Sequence, residues 1–391
     1  MRHLSLFSVA LVLGLTLALV TLFNYPVQAA TTYYVDDDTC PDSGSGTEED
    51  PFCSIQSGIN VASTGDIVEV AAGTYEKITM KSGVVIQGAG QGISIIDGGA
   101  SGSVVTANGV DSSAKLDGFT ITNGNATYGG GMDSINSSPT VSNCTFSGNT
   151  ASYYGGGMRI AFSSPTVTNC TFSGNTSVEN GGGMGNNNSS PNVINCTFSG
   201  NSADYGGGMV HYDNSTPTVT NCTFSGNSAV LIGGGMYNGY QSSSRVTNCT
   251  FSGNTVGNYS GGGMYNDTYS SSTVTNCVLW GGSPDELSSL SSAFSITYSD
   301  IQGGFEGTGN INADPMFVDP DGPDSVVGTE DDDLHLTTGS PCIDTGTASG
   351  APATDLEGNP RPQGAGYDMG AYESLLAKIR AMPWLLLLLG Y

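Results

Sequence analysis

Few side chains in the repeated centre of the chain could act as acids or bases. The sequence of 391 residues contains 35 Asp and Glu residues and 3 His residues. A glycoside hydrolase needs two carboxyl groups close together, and a lyase needs a base beside carboxylates that hold Ca²⁺. The acidic residues between positions 119 and 280 stand at different positions of the repeat described below: Asp133, Glu179, Asp204, Asp213 and Asp267. We therefore assign no catalytic residue.

Two other residues in the repeated centre, a histidine and an arginine, could also take part in chemistry, but a structural role explains their positions more simply. His211 follows the Gly-Met motif at a repeat position that is asparagine in other copies, such as Asn186 and Asn238. This pattern favours a substitute in a ladder of side chains over a general base. Arg159 occupies the repeat position of Asp133 in the next copy. This spacing predicts an ion pair at the surface.

Tyrosines recur near the glycine runs of the repeat. Tyr154 and Tyr205 stand just before their glycine runs, and Tyr237 and Tyr265 follow the methionine of two consecutive copies. Exposed tyrosines on a rigid rod could stack on sugar rings or contact a protein partner. The alternative is that they only cover turns and strand surfaces. These four tyrosines are our predicted ligand-binding residues.

An acidic segment near the C-terminus could bind a divalent cation. Asp319, Asp321 and Asp324 alternate around a Gly-Pro turn, and residues 330–333 are all acidic. Ca²⁺ prefers clustered carboxylate oxygens, so this segment predicts a calcium site. It lacks the 12-residue spacing of an EF-hand. A solvated acidic loop is the alternative.

The nine cysteines fall into two groups and one remaining residue. Cys40 and Cys53 flank an acidic loop and could form a disulfide in an oxidising compartment. Six others recur every 26 to 28 residues: Cys144, Cys170, Cys196, Cys222, Cys249 and Cys277. Side chains on consecutive coils point in parallel, which suits packing better than bridging. We interpret these six as buried thiols, with disulfides as the alternative. The state of Cys342 is left open.

A repeat of about 26 residues must position these side chains. The motif N-C-T-F-S-G-N occurs five times, from Asn143–Asn149 to Asn248–Asn254, and a G-G-G-M motif recurs with it. Each copy has turn residues between three short apolar segments and no helical period. The pattern predicts an all-β chain that forms a single parallel β-helix with three short strands per coil. Cys, Phe and Met would form inward columns, and Asn143 and its equivalents an amide ladder.

The same motifs carry a resemblance to known families. G-G-G-M, together with the F-x-x-N segment Phe146–Asn149, resembles the repeat of polymorphic outer-membrane proteins. Those repeats belong to right-handed parallel β-helices of the pectate-lyase-like superfamily, which includes polysaccharide-cleaving enzymes. Residues 339–344 and 368–373 are similar to a C-terminal module of exported bacterial proteins of the choice-of-anchor type. The resemblance implies fold and export, and leaves activity open.

The ends of the chain complete the predicted organisation. Arg2 precedes an apolar run, and small residues at Val27 and Ala29 predict a secretory signal peptide, with an uncleaved anchor as the alternative. The apolar C-terminal tail is too short to span a bilayer, so the mature chain has no predicted transmembrane segment. The predicted divisions are a signal peptide (1–29), an N-terminal cap (30–63), a parallel β-helix (64–300), an irregular acidic C-terminal module (301–374) and a short apolar tail (375–391).

Charge narrows the possible partners. Nine Lys and Arg residues against 35 acidic ones give a formal net charge of −26, which excludes nucleic acid bound through its phosphates. We predict a secreted or cell-surface monomer, located at the outer membrane or outside the cell. It would be a non-catalytic, adhesin-like or carbohydrate-contacting rod whose partner is a polysaccharide or a host or neighbouring cell surface. The alternative is a polysaccharide lyase or glycosidase of the same fold.

Overall fold

The computed structural model describes residues 29–41 and 43–374. The predicted signal peptide, apart from its last residue, and the predicted tail (375–391) lie outside the described residues. Within the described ranges, no helix has both the length and the apolar character needed to cross a membrane.

Each repeat forms one coil of a right-handed parallel β-helix of about nine turns, as predicted. Because the repeat length is nearly constant, equivalent residues of successive coils pair in register: Val141 lies opposite Val167, and Phe146 opposite Phe172. Along one coil the chain passes through sheet 1, sheet 2, sheet 4 and sheet 3, which are defined by the strands below.

The strands and helices have the following bounds. Sheet 1 contains Thr32–Val35, Ile67–Val70, Val85–Gly88, Lys115–Asp117, Thr140–Ser142, Thr166–Thr168, Asn192–Ile194, Thr218–Thr220, Arg245–Thr247, Ser271–Thr275 and Ala293–Thr297. Sheet 2 contains Gly73–Tyr75, Ser94–Asp97, Thr120–Thr122, Thr145–Ser147, Thr171–Ser173, Thr197–Ser199, Thr223–Ser225, Thr250–Ser252, Val278–Trp280 and Asp300–Ile301. Sheet 3 contains Ile78–Thr79, Val105–Asn108, Met132–Ile135, Met158–Ala161, Met184–Asn187, Met209–Tyr212, Met236–Asn238, Met264–Asn266 and Leu287–Ser289. Sheet 4 contains Asn125–Tyr128, Thr150–Tyr154, Thr176–Ser177, Ser202–Tyr205, Ser228–Ile232 and Thr255–Val256. Phe317–Asp319 and Asp333–Leu336 form an antiparallel pair, an α-helix spans Ile55–Val61, and a 3₁₀ helix spans Asp37–Thr39.

The fourth sheet adds a short strand to six of the coils beyond the three predicted per coil. Five of these strands follow directly after the S-G-N turn and begin with Thr or Ser, whereas Asn125–Tyr128 follows Asn123-Gly124. In three of them an alanine points into the coil: Ala151, Ala203 and Ala229 are all buried. A small side chain gives little apolar signal, which explains why these strands were not distinguished from turns in the sequence.

Stacked phenylalanines form the centre of the core. Phe172 and Phe198 have ring centroids 4.8 Å apart with planes within 2° of parallel. The same stacking continues along one column: Phe146, Phe172, Phe198, Phe224 and Phe251. All five rings are fully buried. Their spacing is that of neighbouring β-strands, so the backbone pairing itself sets the aromatic contacts.

The cysteines of the repeat lie in one buried column beside the phenylalanines. Each Sγ lies near a main-chain carbonyl oxygen two residues earlier in its own coil, as in Cys196 to Ile194 at 3.2 Å. All six are free thiols: Cys144, Cys170, Cys196, Cys222, Cys249 and Cys277. Cys40 and Cys53 are joined by a disulfide, with their Cα atoms 5.0 Å apart. Cys342 is a buried free thiol.

An amide ladder marks the bend between sheets 1 and 2. The side chain of Asn169 donates from Nδ2 to Oδ1 of Asn143 at 3.1 Å, and that of Asn195 to Asn169 at 3.2 Å. Every member has a left-handed φ between 49° and 54°, a conformation that asparagine tolerates. The members of this outer ladder are Asn143, Asn169, Asn195, Asn221, Asn248 and Asn276.

The N-terminal segment both starts and closes the β-helix. Thr32–Val35 is already a strand of sheet 1, so the segment predicted as a cap (30–63) also supplies strand structure. The helix Ile55–Val61 begins at Ser54, whose side chain accepts a hydrogen bond from the Ser57 amide. Ile55 and Ile59 on this helix are buried in the main core. Such a cover keeps the first coil from exposing its apolar interior.

The C-terminal acidic module returns along the outside of the coils that precede it. The Asn276 side chain donates to the Thr347 carbonyl at 2.7 Å and accepts from the Thr347 amide at 2.8 Å. Asn221 donates to the Thr354 carbonyl at 2.7 Å. The outer amide ladder therefore serves as the docking surface of this module, because each side-chain amide has a second N–H that the ladder does not use.

A buried ion pair organises the end of this module. Arg361 donates from Nη1 to Glu373 Oε2 at 2.8 Å, and both side chains are fully buried. Glu373 also accepts from the main-chain amides of Gln363 and Asp368. Asp368 in turn accepts from the amide of Ser374 at 2.6 Å. The acidic residues of the segment 368–373 thus stabilise the module's own loops.

Candidate functional site

Glycines create a sharp corner between sheets 4 and 3. Gly155 has a φ of +68°, which favours glycine, and it begins the Gly-Gly-Gly-Met turn. A Cβ atom on Gly156 would lie 2.5 Å from the carbonyl oxygens of Thr176 and Gly182 on the next coil. The glycine runs therefore allow the coils to approach closely at this corner, and larger side chains are confined to its two flanks.

Tyrosines occupy both flanks of the corner. At the end of sheet 4, one column pairs Tyr154, Asn180, Tyr205 and then Ile232 across successive coils. On sheet 3, Tyr237 and Tyr265 are paired neighbours in the position after methionine. The rings of Tyr205 and Tyr237 meet across the corner with centroids 5.7 Å apart, and those of Tyr237 and Tyr265 meet along sheet 3 at 5.9 Å.

These columns enclose a cleft of about 460 Å³, which we call the tyrosine cleft. All four tyrosines predicted from the sequence line it. The six tyrosines of the lining are Tyr153, Tyr154, Tyr205, Tyr212, Tyr237 and Tyr265. Glu179 and Asp267 are its two acidic residues. The cleft runs over several coils, so an extended ligand would lie along the axis of the rod.

The tyrosines differ in exposure from what the sequence suggested. Tyr154 is only 7% exposed and Tyr237 only 3% exposed, so the expectation of exposed rings is wrong for these two. The Tyr154 ring lies over Gly185, where a Cβ would come within 2.9 Å of it. Tyr205 and Tyr265 are half-buried. A ligand would therefore contact mainly the partly exposed rings, while the buried ones support them.

Hydrogen bonds fix one carboxylate of the cleft. Tyr237 donates from its hydroxyl to Asp267 Oδ2 at 2.8 Å, and the Thr268 amide donates to Asp267 Oδ1 at 2.6 Å. Burial, followed by the hydrogen bond to Asp267, raises the pKa of Tyr237. Burial also raises the pKa of Tyr154, with a further contribution from the charge of Asp213. The buried tyrosines therefore stay neutral hydroxyl donors.

His211 and Arg159 take the places that the repeat indicated. His211 is buried opposite Asn186, with Nδ1 3.0 Å from the Asn186 amide nitrogen, and burial lowers its pKa to about 3. It is therefore uncharged near neutral pH. Arg159 donates from Nε to Asp133 Oδ1 at 2.7 Å, and its guanidinium lies 4.2 Å from the centroid of the Tyr128 ring. This pair is partly buried rather than fully at the surface.

The predicted calcium residues are not gathered into one group. In the described ranges, the acidic group whose ligand atoms all lie within 4.8 Å of one another is Asp36, Asp37 and Asp38. Asp324 instead accepts from the Val326 amide through Oδ1 at 2.8 Å. Asp319, Asp321 and Asp324 therefore do not meet this geometric condition, and the calcium expectation stays untested.

A second groove is lined by residues that are far apart in the sequence. It has a volume of about 360 Å³ and lies between the outward threonines of sheet 2 and the C-terminal module. The module contributes Glu330 and Asp332, and Asp332 accepts from the Ser225 hydroxyl at 2.5 Å. Burial raises the pKa of Asp332. No repeat or motif signalled this groove, because its two walls are about 100 residues apart in sequence.

Comparison with known families follows from this architecture. A family model described as right handed beta helix region matches residues 57–279, more than half of the chain. The chain belongs to the right-handed β-helix family. No curated protein sequence matches that of this β-helix protein.

Several solved structures are similar to this β-helix protein. Pectate lyase Pel9A matches with a TM-score of 0.54 and 16% identity, over 89% of this chain and 97% of that chain. A rhamnogalacturonan lyase matches with a TM-score of 0.33 and 13% identity, over 79% of this chain and 97% of its own. A polygalacturonase from Erwinia carotovora ssp. carotovora matches with a TM-score of 0.31 and 12% identity, over 72% of this chain and 97% of that chain. At 16% identity, the likeness to the pectate lyase concerns the fold alone.

Proposed function

We propose that this protein is an exported, monomeric β-helix rod that binds polysaccharide in the tyrosine cleft without cleaving it. One observation carries the proposal: tyrosines from separate coils converge on one cleft whose long direction follows the rod. Aromatic rings stack on the apolar faces of sugars, and tyrosine hydroxyls bond to sugar hydroxyls. An adhesin-like role at a cell surface is the corresponding biological function.

The rigidity of the cleft supports binding. The buried Tyr237 ring is held by its bond to Asp267 and packs with Tyr154 and Val210. The contacting rings Tyr205 and Tyr265 rest against Tyr237. Side chains that are already ordered lose little conformational entropy when a ligand arrives, which strengthens association.

The carboxylates of the cleft support binding rather than cleavage. Both oxygens of Asp267 already accept hydrogen bonds within the protein. Glu179 is the other acid of the lining. Hydrolysis would require a second carboxyl group that is free to act as acid, base or nucleophile.

Several features support export. Residues 1–29 have the pattern of a signal peptide, and Cys40 and Cys53 form a disulfide, which persists in oxidising compartments. The repeats resemble those of polymorphic outer-membrane proteins, and the C-terminal motifs resemble the choice-of-anchor type. Both resemblances favour a protein at the cell surface or outside the cell.

Binding can be tested with soluble polysaccharides and tyrosine variants. We expect Tyr205→Ala and Tyr265→Ala each to weaken binding by about tenfold, since one stacked ring contributes roughly 1 kcal/mol or more. The double variant should abolish it. Tyr259→Ala is the matched control, because Tyr259 is 67% exposed and lies outside the lining. Equal affinities for the wild type and the double variant would refute the proposal.

Polysaccharide cleavage in the second groove is a second candidate function. It is favoured by the Glu330 and Asp332 carboxyls in one groove and by the raised pKa of Asp332, which suits a general acid. A screen for new reducing ends or unsaturated products would detect it. Turnover by the wild type that Asp332→Asn abolishes, with Tyr205→Ala remaining active, would favour this candidate over a binding rod.

A further inference from the structure

We propose that the tyrosine cleft selects uncharged sugars and rejects polyuronates. The inference rests on the proposed function and names the ligand class of the same cleft. Four features carry it: the composition of the lining, the state of the neighbouring cation, the negative field at the tyrosines, and one carboxylate free to accept hydrogen bonds.

The lining carries negative charge without a compensating cation. Among its described residues are Glu179 and Asp267, and none is lysine, arginine or histidine. A polyuronate presents one carboxylate on each sugar, so every sugar placed in the cleft would bring a like charge close to these groups. Coulomb repulsion is stronger in a cleft lined by partly buried side chains than in bulk water.

The arginine close to this corner is already paired. Arg159 lies on sheet 3 in the same row as Tyr237 and Tyr265, three coils before Tyr237. It donates to both carboxylate oxygens of Asp133 and lies over the ring of Tyr128. Its side chain is 13% exposed. The charge of Asp133 offsets that of the guanidinium, so this pair offers an anionic sugar little net attraction.

The raised pKa values of two tyrosine hydroxyls also indicate a negative potential in the cleft. Burial is the main cause of the raised pKa of Tyr212, and the charges of Asp213 and Asp267 add to it. Asp267 likewise contributes to the raised pKa of Tyr265. Asp213, which is not part of the lining, and Asp267 therefore both act on the Tyr212 hydroxyl. An anionic ligand would meet the same potential.

Glu179 gives the cleft a positive preference for hydroxyl groups. Its carboxylate makes no hydrogen bond or ion pair within the described residues, and the side chain is half-buried at the edge of the lining. A carboxylate only accepts hydrogen bonds, and neighbouring hydroxyls of a neutral sugar can donate two to it. Such charge-assisted bonds are stronger than neutral ones. A uronate carries a carboxylate in place of the C6 hydroxyl of such a sugar, so it has one donor fewer and brings a like charge near Glu179.

Direct competition between polymers tests this inference. The purified full chain is assayed at low ionic strength against neutral glucans, galactans and mannans, and against polygalacturonate and alginate, each with and without Ca²⁺. We expect at least one neutral polymer to bind about tenfold or more tightly than either polyuronate. Glu179→Gln should weaken neutral binding about tenfold, as expected for a lost bond to a charged group, and narrow the gap to the polyuronates. Glu306→Gln, the same change at an exposed residue outside the lining, should do neither.

The outcomes separate this inference from the proposed function. If a polyuronate binds more tightly than every neutral polymer and Tyr205→Ala weakens it, the binding function stands and the selectivity is wrong. Polyuronate binding that requires Ca²⁺ and is lost in Glu179→Gln would also overturn the selectivity. If no polymer binds at all, both proposals fall.

Discussion

At the scale of single residues, the stability of this protein depends on identical side chains stacked on successive coils. Each Phe of the central column contacts the next at strand spacing, so one ring is packed on both faces by its own kind. Two buried side chains depart from this pattern. His211 fits in the asparagine row because burial keeps it neutral. Glu286 is a buried acid near the last coil.

Removal of one stacked ring should be costly. We expect Phe198→Ala to lower the free energy of unfolding by about 3–5 kcal/mol, because the ring is fully buried and its cavity lies between two rings that the backbone holds in place. Phe162→Ala is the control, since Phe162 is 61% exposed, and it should have little effect. Denaturant unfolding of the two variants measures the difference. Similar losses would contradict the stacked core.

Glu286 should make stability depend on pH. Burial raises its pKa from 4.5 to about 7, and one of its oxygens has no hydrogen-bond partner in the described structure. The folded state therefore binds the proton more tightly than the unfolded state does. The stabilisation is complete below about pH 4.5 and is lost as the pH rises towards 7, at up to about 1.4 kcal/mol per pH unit.

Thermal unfolding at pH 5 and pH 7.5 tests this. Glu286→Gln should reduce the loss of melting temperature between the two values, and Asp368, whose pKa burial also raises to about 7, should account for part of the remainder. Glu306→Gln at an exposed position is expected to leave the pH profile unchanged. An unaltered profile in Glu286→Gln would show that this carboxyl does not titrate as the structure indicates.

At the scale of elements, the outer amide ladder has two functions along one line. Asn169 and Asn195 bond to neighbouring members of the ladder, whereas Asn221, Asn248 and Asn276 also bond to the main chain of the C-terminal module. Among the described residues no ladder bond joins Asn248 to Asn221, and Asn221 Oδ1 has no partner, whereas Asn276 does donate to Asn248 Oδ1 at 3.2 Å. The module supplies carbonyl groups in this region.

Loss of one docking amide should loosen the module. Asn276→Ala removes two hydrogen bonds to Thr347, so we expect faster proteolytic cleavage within residues 301–374. Asn169→Ala is a closely matched control: Asn169 has a similar left-handed φ and a ladder bond, but within the described residues its side chain makes no hydrogen bond to the module. Equal cleavage rates in these two variants would mean that the ladder does not hold the module.

At the scale of the whole molecule, like charges are brought together on one side of the rod. Residues 301–374 contain 14 acidic residues and a single arginine, and this segment lies against the outer surface of the coils. Close approach of acidic groups destabilises a compact state through repulsion, and salt screens that repulsion. The docked module is where this effect should be largest.

We therefore expect the melting temperature to rise when ionic strength increases from about 0.01 M to about 0.15 M, where the Debye length falls from about 30 Å to about 8 Å. Neutral sucrose at equal osmolarity is the control for non-ionic effects. The rise should be smaller in Asp331→Asn plus Asp333→Asn, which removes two charges from the module. A melting temperature independent of salt would contradict this description.

The sequence by itself determined the coil. The nearly constant spacing of Cys, Phe, Met and Asn predicts a parallel β-helix, because coils of similar length bring identical side chains into stacked columns. It also placed His211 in the asparagine row, and it identified Tyr154, Tyr205, Tyr237 and Tyr265 as a group. The fourth strand was not evident, because its inward residue is often alanine, which differs little from a turn residue.

Tertiary structure alone decided how those tyrosines and the terminal acids are arranged. Burial of Tyr154 and Tyr237 depends on how closely sheets 4 and 3 approach each other at the glycine corner. The spacing of residues in the repeat does not give that distance. Glu330 and Asp332 reach the central coils because the C-terminal module folds back over them. The positions of the acidic residues along the chain do not indicate that these two lie near sheet 2. Contacts between residues about 100 positions apart depend on the path of an irregular segment. That segment has no sequence repeat from which its path could be predicted.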